Sequence, residues 1–182
     1  MKKLKFRLFS PAVIIILIAV MISCNANQTK NTKENKEEMQ EDWSKNANIY
    51  EVNIRQYTDE GAIVEFQKHL PRLKEMGVDI LWLMPVFPVG ELNRKGSLGS
   101  YYAVKDYKDI NPEFGNIEDL KNLVKEAHKL GMHVILDWVA NHSAWDNQWA
   151  TEHPEWYQHD DSGKFVSPFD WSDVIAFDYN NN

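Results

Sequence analysis

Two apolar runs decide what this chain can fold into. Residues 78–84 (V-D-I-L-W-L-M) and 132–138 (M-H-V-I-L-D-W) each begin directly after a glycine, Gly77 or Gly131, and neither alternates apolar with polar. A run that is apolar at nearly every position reads as a parallel strand covered on both faces, whereas a half-solvated strand alternates with period two. What precedes each run is helical. Over residues 62–76, Phe66, Leu70, Leu73 and Met76 fall on one face, and Pro71 predicts a kink or two short pieces. Before the second run, Asn116 and Asp119 have the spacing of a capping box, and Leu120, Leu123, Val124, Ala127 and Leu130 make the buried stripe. Gly77 and Gly131 stand where such helices stop. An earlier run, residues 48–54 (N-I-Y-E-V-N-I), reads as a first strand. The order strand, helix, strand, insertion, helix, strand predicts an α/β fold, either a doubly wound sheet or a barrel. No G-x-G-x-x-G follows any strand, which argues against dinucleotide binding. A complete (β/α)8 barrel takes about 250 residues, and a three-stranded piece of one keeps open edges. At 182 residues, the chain is expected to be part of a longer protein.

The stretch before residue 43 is of another kind. Lys2, Lys3, Lys5 and Arg7 form a positive head, residues 8–22 are almost wholly apolar, and Ser23-Cys24 follow. That core is short of the roughly 20 residues a membrane span needs and fits a signal peptide. Residues 1–24 resemble a bacterial lipoprotein signal, in which the thiol of Cys24 is lipidated and becomes the new N-terminus. An uncleaved anchor is the alternative, and both readings put the remainder outside the cytoplasm, at the cell envelope. Residues 25–42 are rich in Asn, Lys and Glu and cannot bury enough surface to offset the entropy of ordering, so a flexible tether is expected. The folded part is then residues 43–182. One cysteine allows no disulfide within the chain, and a net charge of −7 argues against a nucleic-acid partner, which needs a basic face.

Functional groups of a barrel gather where strands end, and three clusters fall there. The first, residues 99–115, carries Tyr101, Tyr102 and Tyr107, which either stack on a sugar ring or pack the loop. The second, D-W-V-A-N-H, ends the third strand. Asp137 is its last inward-facing group, Asn141 offers an oxygen to a cation, and His142 can donate to a hydroxyl. Against this stands a strand-terminal Asp capping loop amides with an exposed His142. The third, residues 145–182, mixes Trp149, Trp156, Tyr157, Trp171 and Tyr179 with many aspartates. That composition suits a carbohydrate cleft and equally a loop-rich subdomain with its own core. His153 and His159 are too loosely spaced for zinc.

Four blocks stand in order: Y-E-V-N-I-R-Q-Y, G-V-D-I-L-W-L-M-P-V-F-P, G-S-Y-Y-A-V-K-D-Y and D-W-V-A-N-H. Over residues 48–182 they resemble the α-amylase family of glycoside hydrolases. The resemblance implies a partial (β/α)8 TIM barrel, the first three βα units plus part of the subdomain inserted after strand three. D-W-V-A-N-H is similar to the family's first signature region. That likeness implies a structural, hydrogen-bonding Asp137, a sugar contact from His142 at the cleavage subsite, and Asn141 as a calcium ligand where the metal is present. Tyr102, with Asp106 and Tyr107 following, resembles the stacking tyrosine, and Asp178 resembles a second calcium-side carboxylate. No organic cofactor is implied.

The implied reaction is retaining hydrolysis of α-glucosidic bonds in an α-glucan or maltooligosaccharide. One carboxylate attacks while a second, protonated, donates to the leaving oxygen, the two being about 5 Å apart. In the family the nucleophilic Asp follows strand four and the acid Glu strand five. The expectation is therefore an incomplete, inactive fragment of a lipid-anchored enzyme, with no catalytic residue of its own. The alternative is a non-catalytic α-glucan-binding lipoprotein of the cell envelope.

Overall fold

The two glycines end their helices with the same set of hydrogen bonds. In the computed structural model of the chain, which describes residues 44–180, Gly77 and Gly131 have φ of 88° and 70°. The N–H of Gly77 donates to the Lys74 carbonyl (2.9 Å) and that of Val78 to Leu73 (3.1 Å). The second unit repeats this, Gly131 donating to His128 (3.0 Å) and Met132 to Ala127 (3.0 Å). This is the Schellman arrangement, which needs a left-handed residue and turns the chain directly into the next strand.

The strands so launched, β2 (Ile80–Leu83) and β3 (His133–Leu136), join β1 (Ile49–Val52) in a parallel sheet of order β1-β2-β3. Between β1 and β2 lie three short helices, α1 (Ile54–Tyr57), α2 (Ile63–Gln67) and α3 (Leu70–Glu75). The first strand stops earlier than its sequence suggests. Ile54 begins α1 and turns into the core, 3 % exposed, instead of extending the ladder. The expected break at Pro71 is present: the proline sits in the first turn of α3, where its missing N–H costs nothing. Phe66, Leu70 and Leu73 are buried as expected, but Met76 is exposed, because it caps α3 beyond the break and leaves the common face. Before β3 runs α4 (Ile117–Lys129), whose capping box pairs Asn116 with Asp119 in both directions. Its Leu120, Leu123 and Ala127 are buried, while Val124 and Leu130 pack partly against the same core.

Residues two apart share a sheet face. Val52, Leu81 and Leu83 point toward the helices and are wholly buried. The opposite face carries the layer Glu51, Trp82 and Ile135, in register across the three strands. Coverage on both faces holds poorly for β3. Ile135 and Leu136 are both exposed, and so is Trp138 just beyond. Among the described residues β3 pairs only with β2, so it is an edge strand, and of its apolar side chains only Val134 packs partly against the core.

After β3 the chain builds a smaller layer. Strand β4 (His142–Ala144) pairs antiparallel with β5 (Val174–Ala176), and all six residues are buried. Between them lie α5 (Gln148–Glu152), capped by the Asn147 side chain, and a 3-10 turn at Pro154–Trp156. Contacts divide the chain into Met1–Ala47 and Asn48–Asn182. Every strand and helix named here belongs to the second unit; of the first, only residues 44–47 are described, starting in a helical turn. The signal segment, the tether and Cys24 lie outside the described residues. Among the described residues no helix is long and apolar enough to cross a membrane.

Candidate functional site

The parallel ladder runs one step past the named strands and sets Asp137 in place. Its N–H donates to the Leu83 carbonyl (2.9 Å), as Met84 donates to Val52 (2.9 Å). Asp137 thus continues the face of Glu51, Trp82 and Ile135, at the C-terminal end of the strands. There its Oδ2 accepts the phenol hydrogen of Tyr102 at 3.0 Å. Burial, then the hydrogen bond to Asp137 and its charge, push the Tyr102 hydroxyl up to about 12. The phenol therefore stays neutral and donates across the pH range in which proteins are folded.

Tyr102 is carried by a loop that one arginine holds. The Arg55 guanidinium donates to the carbonyls of Gly99 (3.2 Å) and Leu98 (3.4 Å), lies 4.2 Å over the Tyr101 ring, and pairs with Glu113 at 3.5 Å. Tyr101 itself accepts from the Asn53 amide at 3.0 Å. Tyr101 thus braces the loop and Tyr102 is presented by it. Tyr107 takes the packing role. Its ring stacks on Trp149 at 5.1 Å, and its buried hydroxyl lies between the carbonyls of Val139 (2.8 Å) and His142 (2.7 Å).

His142 opens β4 and is 7 % exposed. The Asn141 side-chain amide reaches its Nδ1 at 3.0 Å. An amide N–H2 can only donate, so Nδ1 accepts and the neutral ring carries its proton on Nε2. Burial lowers the pKa of His142; the Tyr102 backbone and the Asp173 charge offset this in part.

Tyr102 and His142 line one cleft of about 510 Å³, together with Lys95, Ser100, Trp171 and Asp173. Asp173 is 5 % exposed and pairs with Lys95 at 3.2 Å. The indole of Trp171 meets the His142 ring edge-on at 5.5 Å. The structure therefore brings together Tyr102, Asp137 and His142, with Asn141 steering the imidazole. Asp178 lies elsewhere. It lines a groove with Trp138, Trp156 and Tyr179, and its Oδ1 caps the Asn180 N–H at 2.9 Å. Backbone pairing of Phe177 with the Asn141 carbonyl (3.1 Å) keeps it near Asn141 in the ladder. Calcium takes six to eight oxygens, and Asn141 and Asp178 offer side-chain oxygens from two residues. Among the described residues no three His, Cys, Asp or Glu side chains gather to hold a metal.

The residues 25–176 match the sequence profile described as "Alpha amylase, catalytic domain". The chain belongs to the α-amylase catalytic-domain family. Among solved structures, an α-amylase from Lactobacillus plantarum is 51 % identical with a TM-score of 0.73, covering 74 % of this chain and 32 % of that one. A maltogenic α-amylase from Thermotoga neapolitana is 44 % identical with a TM-score of 0.72, covering 75 % and 33 %. Alpha-amylase 3 of Dictyoglomus thermophilum is 31 % identical over 169 residues, 78 % of this chain and 32 % of its own length. The family's members also include an oligo-1,6-glucosidase of Parageobacillus thermoglucosidasius, 34 % identical over 63 % of this chain and 20 % of its own length. The chain thus spans about a third or less of the relatives it matches.

Arg55, Lys95 and the pairing of Asp173 escaped sequence reasoning in this α-amylase-family chain. Arg55 lies within the first block, but its partners are more than forty residues away. Lys95 and Asp173 carry no local pattern that distinguishes them from solvated charges. Trp171 was visible as one aromatic among several, with nothing to single it out.

Proposed function

We propose that this chain supplies the sugar-contacting wall of an α-glucan-cleaving site. Tyr102 stacks on the sugar ring, Asp137 fixes the phenol, and His142 donates from Nε2 to a hydroxyl. The observation that carries the reading is the single cleft that holds Tyr102 and His142, with Tyr102 tied to Asp137 at the strand ends. Membership in the α-amylase family supports the substrate class. Relatives named as α-amylases and glucosidases support hydrolysis as the reaction. No described carboxylate is assigned as nucleophile or as general acid, and no step is routed through calcium.

The test is titration of the full-length protein with maltoheptaose. Binding that Tyr102→Ala and His142→Ala each weaken by about tenfold or more, which is about 1.4 kcal/mol, supports the reading. Binding indifferent to both variants removes it. The 182-residue chain on its own is expected to release no reducing sugar from starch; turnover by it, surviving repurification, overturns that part. The anchor proposal rests on residues 1–24 alone: Cys24 carries lipid and holds the protein to a bacterial membrane, facing outside the cytoplasm. Mass spectrometry finding an intact, unmodified N-terminus sinks it.

A further inference from the structure

We propose that Trp171 is a second sugar platform in the cleft, which makes affinity depend on glucan length, and that the Lys95–Asp173 ion pair is the strap that holds it there. The inference rests on the reading of the cleft as an α-glucan site and goes beyond it by naming what selects oligomers over single sugars.

Three observations carry it. Trp171 lines the same cleft as Tyr102 and His142, yet its side chain is not spent on a core. It is 42 % exposed, whereas Tyr157 of the same layer is 1 % exposed. An indole left half in solvent forgoes much of the burial for which the residue is used, unless a flat ligand covers it. The segment around it is also tightly held. The Trp171 N–H donates to Pro168 (3.2 Å), the Val174 N–H donates to Trp171 (3.2 Å), and the Trp145 indole donates to Ser172 (3.0 Å). Phe169 packs on the Trp171 ring at 5.0 Å and has φ of 53°.

The strap comes from the other wall. Lys95 belongs to the loop after β2. Its ammonium reaches the buried Asp173 carboxylate at 3.2 Å and the Asp170 carbonyl at 3.5 Å, on both sides of Trp171 in sequence. Lys95 is half exposed but Asp173 is buried, so removing the ammonium leaves a buried carboxylate without its counter-charge, and the loops separate. A short sugar such as maltose, held on Tyr102 and His142, has no use for a second flat face. A longer glucan reaches both, and only its affinity depends on Trp171.

The experiment titrates the full-length protein with maltose and with maltoheptaose. Trp171→Leu keeps an apolar side chain without a flat face, and Trp171→Phe keeps a flat one. The Leu variant is expected to weaken maltoheptaose by about tenfold and maltose by less than about twofold, while the Phe variant stays within about threefold of wild type for both. Lys95→Met is expected to lower maltoheptaose affinity in the same length-selective way. Equal losses in the Leu and Phe variants, equal losses for both sugars, or no loss overturn the proposal. A folding defect lowers affinity for both sugars alike and so counts against it too. If wild type binds maltoheptaose through Tyr102 but not through Trp171, this inference fails and the parent reading stands. If wild type binds neither sugar, both fail.

Discussion

The parallel sheet and the small antiparallel layer after it are built on different physics. Around β1, β2 and the helices α2 to α4, a continuous cluster of buried aliphatic and aromatic side chains does the holding, with Phe66, Leu73, Leu81 and Leu123 wholly buried. Around β4 and β5 the buried set is smaller and interrupted by polar groups, His142, Ser143, Asn147 and Asp173. Single side chains there satisfy backbone carbonyls that no helix or ladder reaches. The difference teaches a division of labour: the sheet supplies rigidity, and the hydrogen-bonded layer supplies one wall of the cleft.

The sharpest way to break that contrast is to damage each region by one residue. Phe66→Ala empties the middle of the apolar cluster and is expected to cost about 3–5 kcal/mol of stability, measured by urea unfolding. A cost under about 1 kcal/mol would mean that the helices are not packed as described. Tyr107→Phe removes only one oxygen from the other region, but that hydroxyl carries the one hydrogen that the buried carbonyls of Val139 and His142 share. Leaving them without a donor is expected to cost about 1–3 kcal/mol and to loosen the strand exit that carries Asp137 and His142. Tyr157→Phe is the milder counterpart. It deletes a hydrogen bond to Ser143 Oγ (2.9 Å), whose own hydroxyl keeps the Ala144 carbonyl in reach. About 0.5–1.5 kcal/mol is expected, less than for Tyr107→Phe; the reverse order would show that the two-carbonyl bridge is not what joins the regions.

This contrast also explains what could be read from the sequence. Helix caps, the Pro71 break and the two glycine stops are local events, so Asn116, Asp119, Gly77 and Gly131 announced them within a few residues. The limits of the strands were less legible. Residues 48–54 looked uniform, yet Asn53 engages Tyr101 and Ile54 turns into the core, partners supplied by tertiary contact. Tyr102, Asp137 and His142 could be picked out because a family pattern carried them, and the structure brings them together at the strand ends. Periodicity could not separate Tyr107, which packs, from Tyr102, which lines the cleft. Lys95 and Arg55 were illegible for a plain reason: a charged residue on a loop has no pattern until its partner from another loop is known.

The smallest expected effect concerns pH, and it tests whether His142 is held as a neutral ring. Its folded pKa lies below the ordinary value of 6.5 because the ring is buried. Between the folded value and 6.5 the unfolded chain binds more protons than the folded one, so stability rises with pH in that window. His142 therefore costs nothing above its unfolded pKa, and its penalty grows as pH falls from there to the folded value. Wild type and His142→Gln are to be compared by urea midpoint at several pH values. The difference between them should be flat above neutrality and move against wild type on acidification. Parallel curves would mean that the ring takes up a proton freely. The chemistry beside the ring points the same way. A proton on Nδ1 would face the Asn141 N–H2 group, donor against donor at 3.0 Å, until the amide turned over. Asn141→Asp, which can accept from Nδ1–H, should reduce the acid-side penalty, whereas His142→Gln removes it by deleting the ring.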